Sequence, residues 1–137
     1  MIKYEFEFMG DITGKARPRM NTRTGRAYTP TKTKNYEYFL RQTFIEKYPN
    51  FKTIESKVKV TIIAYFSVPK SVSKLKEAEM LAGIISPTKK PDADNIVKIV
   101  LDAMNKFAFK DDTQVTKLDI EKRYSRIPKI YIKIEEY

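Results

Sequence analysis

The chain has 137 residues, of which 42% are hydrophobic, so it can bury one core of ordinary size. Lys and Arg number 27 against 17 acidic residues, which gives a formal net charge of +10. This excess favours a polyanionic partner such as nucleic acid, because each phosphate contact releases condensed counterions. A soluble basic protein without such a partner would have the same composition.

Cysteine and histidine are both absent, which excludes disulfides, thiolate nucleophiles, imidazole bases and the usual zinc ligands. Any metal would have oxygen ligands, which favours Mg²⁺, Mn²⁺ or Ca²⁺. The first residues, MIKYEFEF, alternate in polarity and do not resemble a signal peptide, and no apolar run is long enough to span a membrane. We expect a cytoplasmic protein with neither a membrane partner nor a small-molecule cofactor.

The first half of the chain predicts two strands and two helices. Alternation predicts strands over Ile2 to Phe8 and Lys57 to Val68, and the stretch from Gly10 to Pro30 is a long loop or a loose hairpin. A helix is predicted over Thr31 to Tyr48, and a short surface helix with a Ser cap over Ser73 to Ala82. The apolar face of the first helix is predicted to contain Tyr36, Phe39, Leu40 and Phe44.

The second half predicts one strong helix and two strands. The helix covers Asn95 to Phe107, with Asp94 at the N-cap position. Strands follow over Val115 to Tyr124 and Lys129 to Glu135, and we expect these two to pair as a hairpin. The order of elements predicts one α+β domain over residues 1–137, with a mixed sheet of about four strands packed with two main helices.

The candidate chemistry lies in two acidic segments on either side of the second main helix. Asp92 and Asp94 precede it, and Asp111 and Asp112 lie on the turn that follows. They meet only if the fold brings the next strand back beside the helix start. Two carboxylates about 4 Å apart repel by roughly 4 kcal/mol at an effective dielectric of 20. A divalent cation would remove that repulsion and could activate water for attack on a phosphodiester.

Lys98 and Asp102 extend this acidic pattern along the same helix face. Lys98 follows Asp94 by one turn and could bind a phosphate, or it could pair with Asp102. Each piece also has an ordinary structural interpretation as a helix cap, a surface ion pair or a turn. An EF-hand loop fits poorly because its spacing and closing Glu are missing. The P-D…D/E-x-K nuclease signature also fits poorly, because it needs its Lys on a strand.

Taken together, the segment from Lys89 to Tyr124, KKPDADNIVKIVLDAMNKFAFKDDTQVTKLDIEKRY, resembles the RusA family of Holliday-junction resolvases. The shared pattern is a basic run, D-x-D-N, an apolar helix with a Lys, D-D-x-Q-V and a strand. The loop GKARPR, Gly14 to Arg19, is similar to a family element as well. The strong resemblance covers about a quarter of the chain. Pro91 departs from the pattern, since some members carry Arg there.

The resemblance implies a RusA-like fold and a homodimer that binds four-way DNA junctions and nicks two opposed strands symmetrically, in DNA recombination and repair. It implies Mg²⁺, with Mn²⁺ as a possible substitute, held by Asp92, Asp94 and Asp112, and a catalytic Lys98. The alternatives are a non-catalytic nucleic-acid-binding protein and a less selective metal-dependent nuclease.

Two basic segments are the predicted DNA contacts. Their functional interpretation is phosphate binding, and the alternative is a solvated charged loop. The residues we assign to this surface are Lys15, Arg17, Arg19, Arg23, Arg26, Lys74, Lys76, Lys89 and Lys90.

Overall fold

The computed structural model describes residues 1–137 and shows an α+β fold, as predicted. The strands are β1 (Lys3–Met9), β2 (Arg19–Met20), β3 (Ala27–Tyr28), β4 (Val58–Ser67), β5 (Val115–Ser125) and β6 (Lys129–Glu136). The helices are α1 (Thr31–Lys47), α2 (Lys74–Leu81) and α3 (Ala93–Met104), and a 3-10 turn covers Asp112–Gln114. None of the helices combines the length and the apolar character needed to cross a membrane.

Four strands form one mixed sheet in the order β1-β6-β4-β5. Strand β4 is central, because it pairs antiparallel with β6 on one side and parallel with β5 on the other. Its alternate side chains, from Val58 to Phe66, are buried, which is the half-buried pattern that the sequence predicted. Strands β2 and β3 form a separate two-stranded ribbon inside the Gly10 to Pro30 loop.

The predicted hairpin between the last two strands is wrong. Strands β5 and β6 are close in sequence, but they do not pair with each other. Strand β4 lies between them and forms backbone hydrogen bonds with each. Strand β5 is therefore an edge strand that runs parallel to β4, and α3 is part of the crossover that joins the two. Pro128 contributes no N–H in the short connection, which suits a crossing over the end of β4 rather than a tight turn.

Helices α1 and α3 pack against each other and cover one face of the sheet. The buried stripe of α1 consists of Thr33, Tyr36, Leu40 and Phe44. The prediction that Phe39 belongs to this face is wrong, because Phe39 lies to one side of the stripe and is 54% exposed. Helix α2 packs beside β5, and its Ser73 accepts a capping hydrogen bond from the N–H of Lys76, as predicted.

Candidate active site

Helix α3 buries one stripe and presents charged residues on the opposite side. The buried residues are Ile96, Ile99, Val100, Ala103 and Met104. Asp92 is the N-cap residue and Asp94 lies in the first turn, so the assignment of Asp94 as the cap is wrong. The Asp92 side chain makes no capping hydrogen bond, and both carboxylates are exposed. Negative charge at this end is favoured by the helix dipole.

A basic cleft lies beside the start of α3. Its charged and polar lining comes from the loop before α1, from the start of α1 and from the segment that leads into α3. It consists of Thr13, Lys15, Arg17, Arg19, Lys32, Thr33, Lys90, Asp92 and Asn95. Asp92 is the one acidic residue in this lining. The cleft therefore offers several cations to a phosphate backbone beside a single exposed carboxylate.

The segment from Gly10 to Pro30 is the basic loop, and its root, Gly14 and Lys15, is held against α3 and α1. The Lys15 N–H donates to the Asn95 carbonyl at 2.9 Å. A Cβ on Gly14 would lie 2.6 Å from the Pro91 Cβ, so only glycine allows this approach. The Lys15 ammonium lies 2.5 Å from Glu37 and 3.1 Å from Asp102. Burial lowers the pKa of Lys15, but hydrogen bonds to both carboxylates outweigh it and raise that pKa above 10.5.

These contacts change the interpretation of two predicted residues. Lys15 is a predicted DNA contact, but its side chain is only 16% exposed and its ammonium is held by two carboxylates of its own chain. Asp102 was a possible partner of Lys98, and it pairs with Lys15 instead. Lys98 is exposed and has no carboxylate within ion-pair distance, so its ammonium is available to a ligand.

A groove with an apolar floor runs between α3 and β5, and we name it the α3–β5 groove. Val97, Leu101, Leu118 and Ile120 form its apolar floor, and the charged residues along it are Asp94, Lys98, Asp102 and Asp112. The groove therefore contains three of the four predicted catalytic residues, whereas Asp92 lines the basic cleft on the other side of the helix start.

Asp94 and Asp112 lie towards opposite ends of this groove. Lys122, near the end of β5, donates to the Lys89 carbonyl just before α3. At the other end, the Gln114 side chain donates to the carbonyls of Ile54 and Ser56, which precede β4. The fold does bring β5 beside α3, but the two run antiparallel.

The two neighbouring aspartates of the turn have different environments. Asp111 caps the 3-10 turn by accepting from the N–H and the hydroxyl of Thr113, and the Gln114 side chain accepts from the Asp111 N–H. These hydrogen bonds hold the pKa of Asp111 below its usual value. Asp112 is exposed and faces the groove. The geometry therefore favours Asp112 over Asp111 as the residue open to a ligand.

The other predicted DNA contacts are distributed over the surface. Arg17, Arg19 and Lys90 line the basic cleft, as a phosphate-binding role requires. Arg23 and Arg26 lie at the exposed tip of the β2–β3 ribbon. Three further lysines line neither the cleft nor the groove: Lys74 and Lys76 are exposed on α2, and Lys89 lies near the rings of Phe66 and Tyr124.

Three polar residues near the helix start were not among the predicted site residues. Lys32 and Asn95 line the basic cleft, and Lys122 lies on the helix-facing side of β5, opposite Ala64. Lys122 had a sequence signal, since it occupies an apolar position in the alternation of its strand. Lys32 had none, because one lysine at a helix start is ordinary surface composition.

The acidic residues of one chain do not form a complete set of ligands for a divalent cation. No group of three or more acidic side chains lies close enough together to hold a metal ion. Asp92 and Asp94, on either side of the same helix start, offer exposed carboxylate oxygens, which are suitable ligands for Mg²⁺ or Mn²⁺. Mg²⁺ is commonly held by one or two carboxylates together with waters and substrate phosphates, so the number of carboxylates here would be enough.

Comparison with known proteins identifies the family. Residues 10–135 match the family model described as "Endodeoxyribonuclease RusA", which covers nearly the whole chain. The chain belongs to the RusA endodeoxyribonuclease family. It is also 35% identical over 136 residues to the "Uncharacterized protein YqaN" of Bacillus subtilis (strain 168), covering 96% of this chain and 95% of that protein. The RusA match includes the basic loop, α3 and the acidic turn, so the predicted family is confirmed.

Proposed function

We propose that this RusA family member is a metal-dependent endodeoxyribonuclease that resolves four-way DNA junctions by paired, symmetric nicks. The observation that carries the proposal is the placement of the α3 start between two surfaces. On one side lies a cleft with several cations, and on the other lie Asp94 and Lys98. A strand whose phosphates occupy the cleft would pass directly over exposed carboxylates.

The cations of the cleft would bind and orient the DNA. Arg17, Arg19, Lys32 and Lys90 can contact successive phosphates without reading bases, which suits recognition by shape. Most of the binding free energy would then come from counterion release, and affinity would fall steeply with salt. The net charge of +10 supports the same partner.

The residues at the helix start would perform the chemistry. Asp92 and Asp94 would hold Mg²⁺ or Mn²⁺, which supplies the Lewis acid that polarises the phosphodiester. The Lys98 ammonium, free of any ion pair, would offset the negative charge that develops on the phosphate during attack. Since the chain has no histidine, an imidazole cannot accept the proton of the attacking water.

Symmetric cutting requires two active sites in a fixed relation. A four-way junction has approximate two-fold symmetry, and an isologous homodimer has the same symmetry. We therefore propose that the functional unit is a homodimer whose two sites face equivalent phosphates on opposed strands. Such a dimer would act in DNA recombination and repair.

The test is cleavage of a synthetic mobile four-way junction in Mg²⁺, with a linear duplex of matched sequence beside it. We expect paired symmetric nicks in the junction only, and no cleavage after chelation of the metal. Asp92→Asn and Asp94→Asn should each lower the rate by at least about a hundredfold, because several kcal/mol of charge stabilisation depend on the ion that they hold. Junction binding without metal should persist in both variants.

Asp119→Asn is the matched control, because Asp119 is an exposed aspartate of β5 that pairs with Lys59 on the open face of the sheet. It changes the charge equally and should leave cleavage intact. Tight junction binding without any cutting in Mg²⁺ or Mn²⁺ would contradict the enzyme and indicate a binding protein. Equal cutting of junction and duplex would indicate a less selective nuclease.

A further inference from the structure

The first turn of α1 opens into the basic cleft with free hydrogen-bond donors. Pro30 is the N-cap residue and makes no side-chain capping bond, and the first backbone bond of the helix runs from the Lys34 N–H to the Pro30 carbonyl. The N–H groups of Thr31, Lys32 and Thr33 therefore have no partner within the helix. The first turn contains no acidic residue, so no carboxylate of its own offsets the positive end of the helix dipole.

Thr33 adds a buried hydroxyl to these donors. The residue lines the cleft and is only 2% exposed, so its small accessible surface lies there. A helical threonine can donate to the carbonyl four residues earlier, as Thr43 does to Phe39. The corresponding carbonyl for Thr33 belongs to Thr29, which precedes the helix. The Thr33 hydroxyl makes no hydrogen bond within the chain, and a buried polar group without a partner is costly, so this hydroxyl indicates a ligand that enters from the cleft.

We propose that the N-terminus of α1 is a subsite for one phosphate of the DNA backbone, bound by the free N–H groups of the first turn and by the Thr33 hydroxyl. This inference rests on the proposed function and adds to it the group that fixes the strand within the cleft. Thr33 then binds phosphate without carrying a charge.

The surroundings of the turn favour a phosphate as the occupant. Helix α1 has seventeen residues, and free N–H groups at the start of a long helix bind anions well. Side chains of a helix lean towards its N-terminus, which brings the Thr33 hydroxyl beside those N–H groups. Several donors from one turn suit the several oxygens of a phosphate. Arg17, Arg19 and Lys32 line the same cleft and supply the positive potential that a phosphate requires.

The subsite and the proposed metal site lie along one cleft. Asp92 is part of the same lining as Thr33, so a strand held at the first turn of α1 continues towards the α3 start. Arginine and lysine side chains are flexible and follow a phosphate wherever it lies. Donors fixed by a helix hold it at one position, and they therefore set which phosphodiester reaches Asp92.

Titration of the wild-type protein with inorganic phosphate tests the subsite without DNA. In the ¹⁵N-labelled protein, we expect the amide resonances of Thr31, Lys32 and Thr33 to shift more than those of the rest of α1. Thr33→Val removes the hydroxyl and should bind phosphate at least about tenfold more weakly, since a hydrogen bond to a charged group is lost. Thr33→Ser keeps the hydroxyl and should bind phosphate like the wild type.

Junction binding without metal tests whether the DNA backbone supplies this phosphate. Thr33→Val should lower the affinity at least about tenfold at every salt concentration. The salt dependence should stay that of the wild type, because the substitution removes no charge. Thr43→Val is the matched control, since it makes the same change in the same helix at a hydroxyl that bonds to Phe39, and it should leave binding unchanged.

A single methylphosphonate, moved along each junction strand, identifies the bound phosphate. One position should weaken wild-type binding more than its neighbours, and this excess should disappear in Thr33→Val because the two changes remove the same contact. An excess that persists in Thr33→Val would show that Thr33 acts only through the fold and would overturn the subsite.

Two further outcomes separate the subsite from the proposed function. Unshifted first-turn amides in phosphate, or wild-type junction affinity in Thr33→Val, would overturn the subsite and leave the proposed function standing. A wild type that binds phosphate at this turn but does not bind the junction would contradict the proposed function, and with it the DNA backbone as the source of the phosphate.

Discussion

The basic loop and the acidic turn each use one charged residue to hold the backbone and leave a neighbour exposed. In the loop, Lys15 pairs with Glu37 and Asp102, while Arg17 and Arg19 line the cleft. In the turn, Asp111 accepts from Thr113, while Asp112 faces the groove. The partners differ in origin, because Asp111 uses its own turn, whereas Lys15 uses side chains of two separate helices, α1 and α3.

This difference shows which structural charges a sequence reveals. A local anchor has a local pattern, and D-D-T-Q contains both the cap and the glutamine that completes the capping box. A long-range anchor has no such local pattern. Nothing within GKARPR distinguishes Lys15 from Arg17 and Arg19, because the carboxylates that hold Lys15 lie outside the segment. Matched variants can test this comparison. Gly14 contacts α3 and its preceding segment at the root of the loop, whereas Gly25 at the tip contacts only its own turn.

The largest effect should come from Gly14→Ala at the loop root. Its Cβ would lie 2.6 Å from Pro91 and 3.1 Å from Asn95, so the loop must move away from α3. We expect a loss of about 1–3 kcal/mol in the free energy of unfolding, measured by urea denaturation, and weaker junction binding as the cleft is displaced.

Gly25→Ala is the control for this substitution. Gly25 has φ +68 but no atom within 4 Å of a Cβ, and the turn around it bonds to itself through Asn21 and Arg26. An alanine in the left-handed conformation costs about 1 kcal/mol. Because the tip can open locally while the rest of the fold stays intact, we expect little of this cost to appear in the free energy of global unfolding. A larger loss of stability from Gly25→Ala than from Gly14→Ala would show that the root is not the fixed part of the loop.

An intermediate effect should separate the arginines of the cleft from those of the tip. Arg17→Met with Arg19→Met, and Arg23→Met with Arg26→Met, remove the same charge. The measurement is the slope of the logarithm of the junction-binding constant against the logarithm of the salt concentration. Two lost phosphate contacts should reduce the magnitude of this slope by about 1.8 for the cleft pair. The tip pair should reduce it less. Equal slopes for the two pairs would contradict the assignment of the cleft as the main phosphate surface.

The smallest effect should come from the acidic turn. Asp111→Ala removes the cap and should lower stability, whereas Asp112→Ala should not. The folded-state pKa of Asp111 lies below its ordinary value of 3.8. The contribution of the Asp111 carboxylate to the free energy of unfolding is therefore fully present above pH 3.8, and it is lost as the pH falls through the folded-state pKa. The stability gap between wild type and Asp111→Ala should therefore narrow in acid-titrated thermal melts below about pH 4. A gap that is constant with pH would show that the carboxylate charge has no part in the cap.

The sequence was sufficient to locate the three helices and the four strands of the main sheet. Alternation located β1, β4, β5 and β6, and the apolar stripe located α3 to within a few residues. The composite acidic motif indicated the RusA family, which the match over residues 10–135 confirms. These features are local, since side-chain periodicity and motif spacing are written along a single segment.

Only the tertiary structure decided how these segments are arranged around one another. Backbone hydrogen bonds do not depend on side-chain identity, so nothing in β5 or β6 specified that β4 would lie between them. The parallel crossover that follows makes α3 antiparallel to β5, which separates Asp112 from Asp92 and Asp94. For the same reason Lys15 found Glu37 and Asp102, since contacts between distant segments depend on the packing of whole elements.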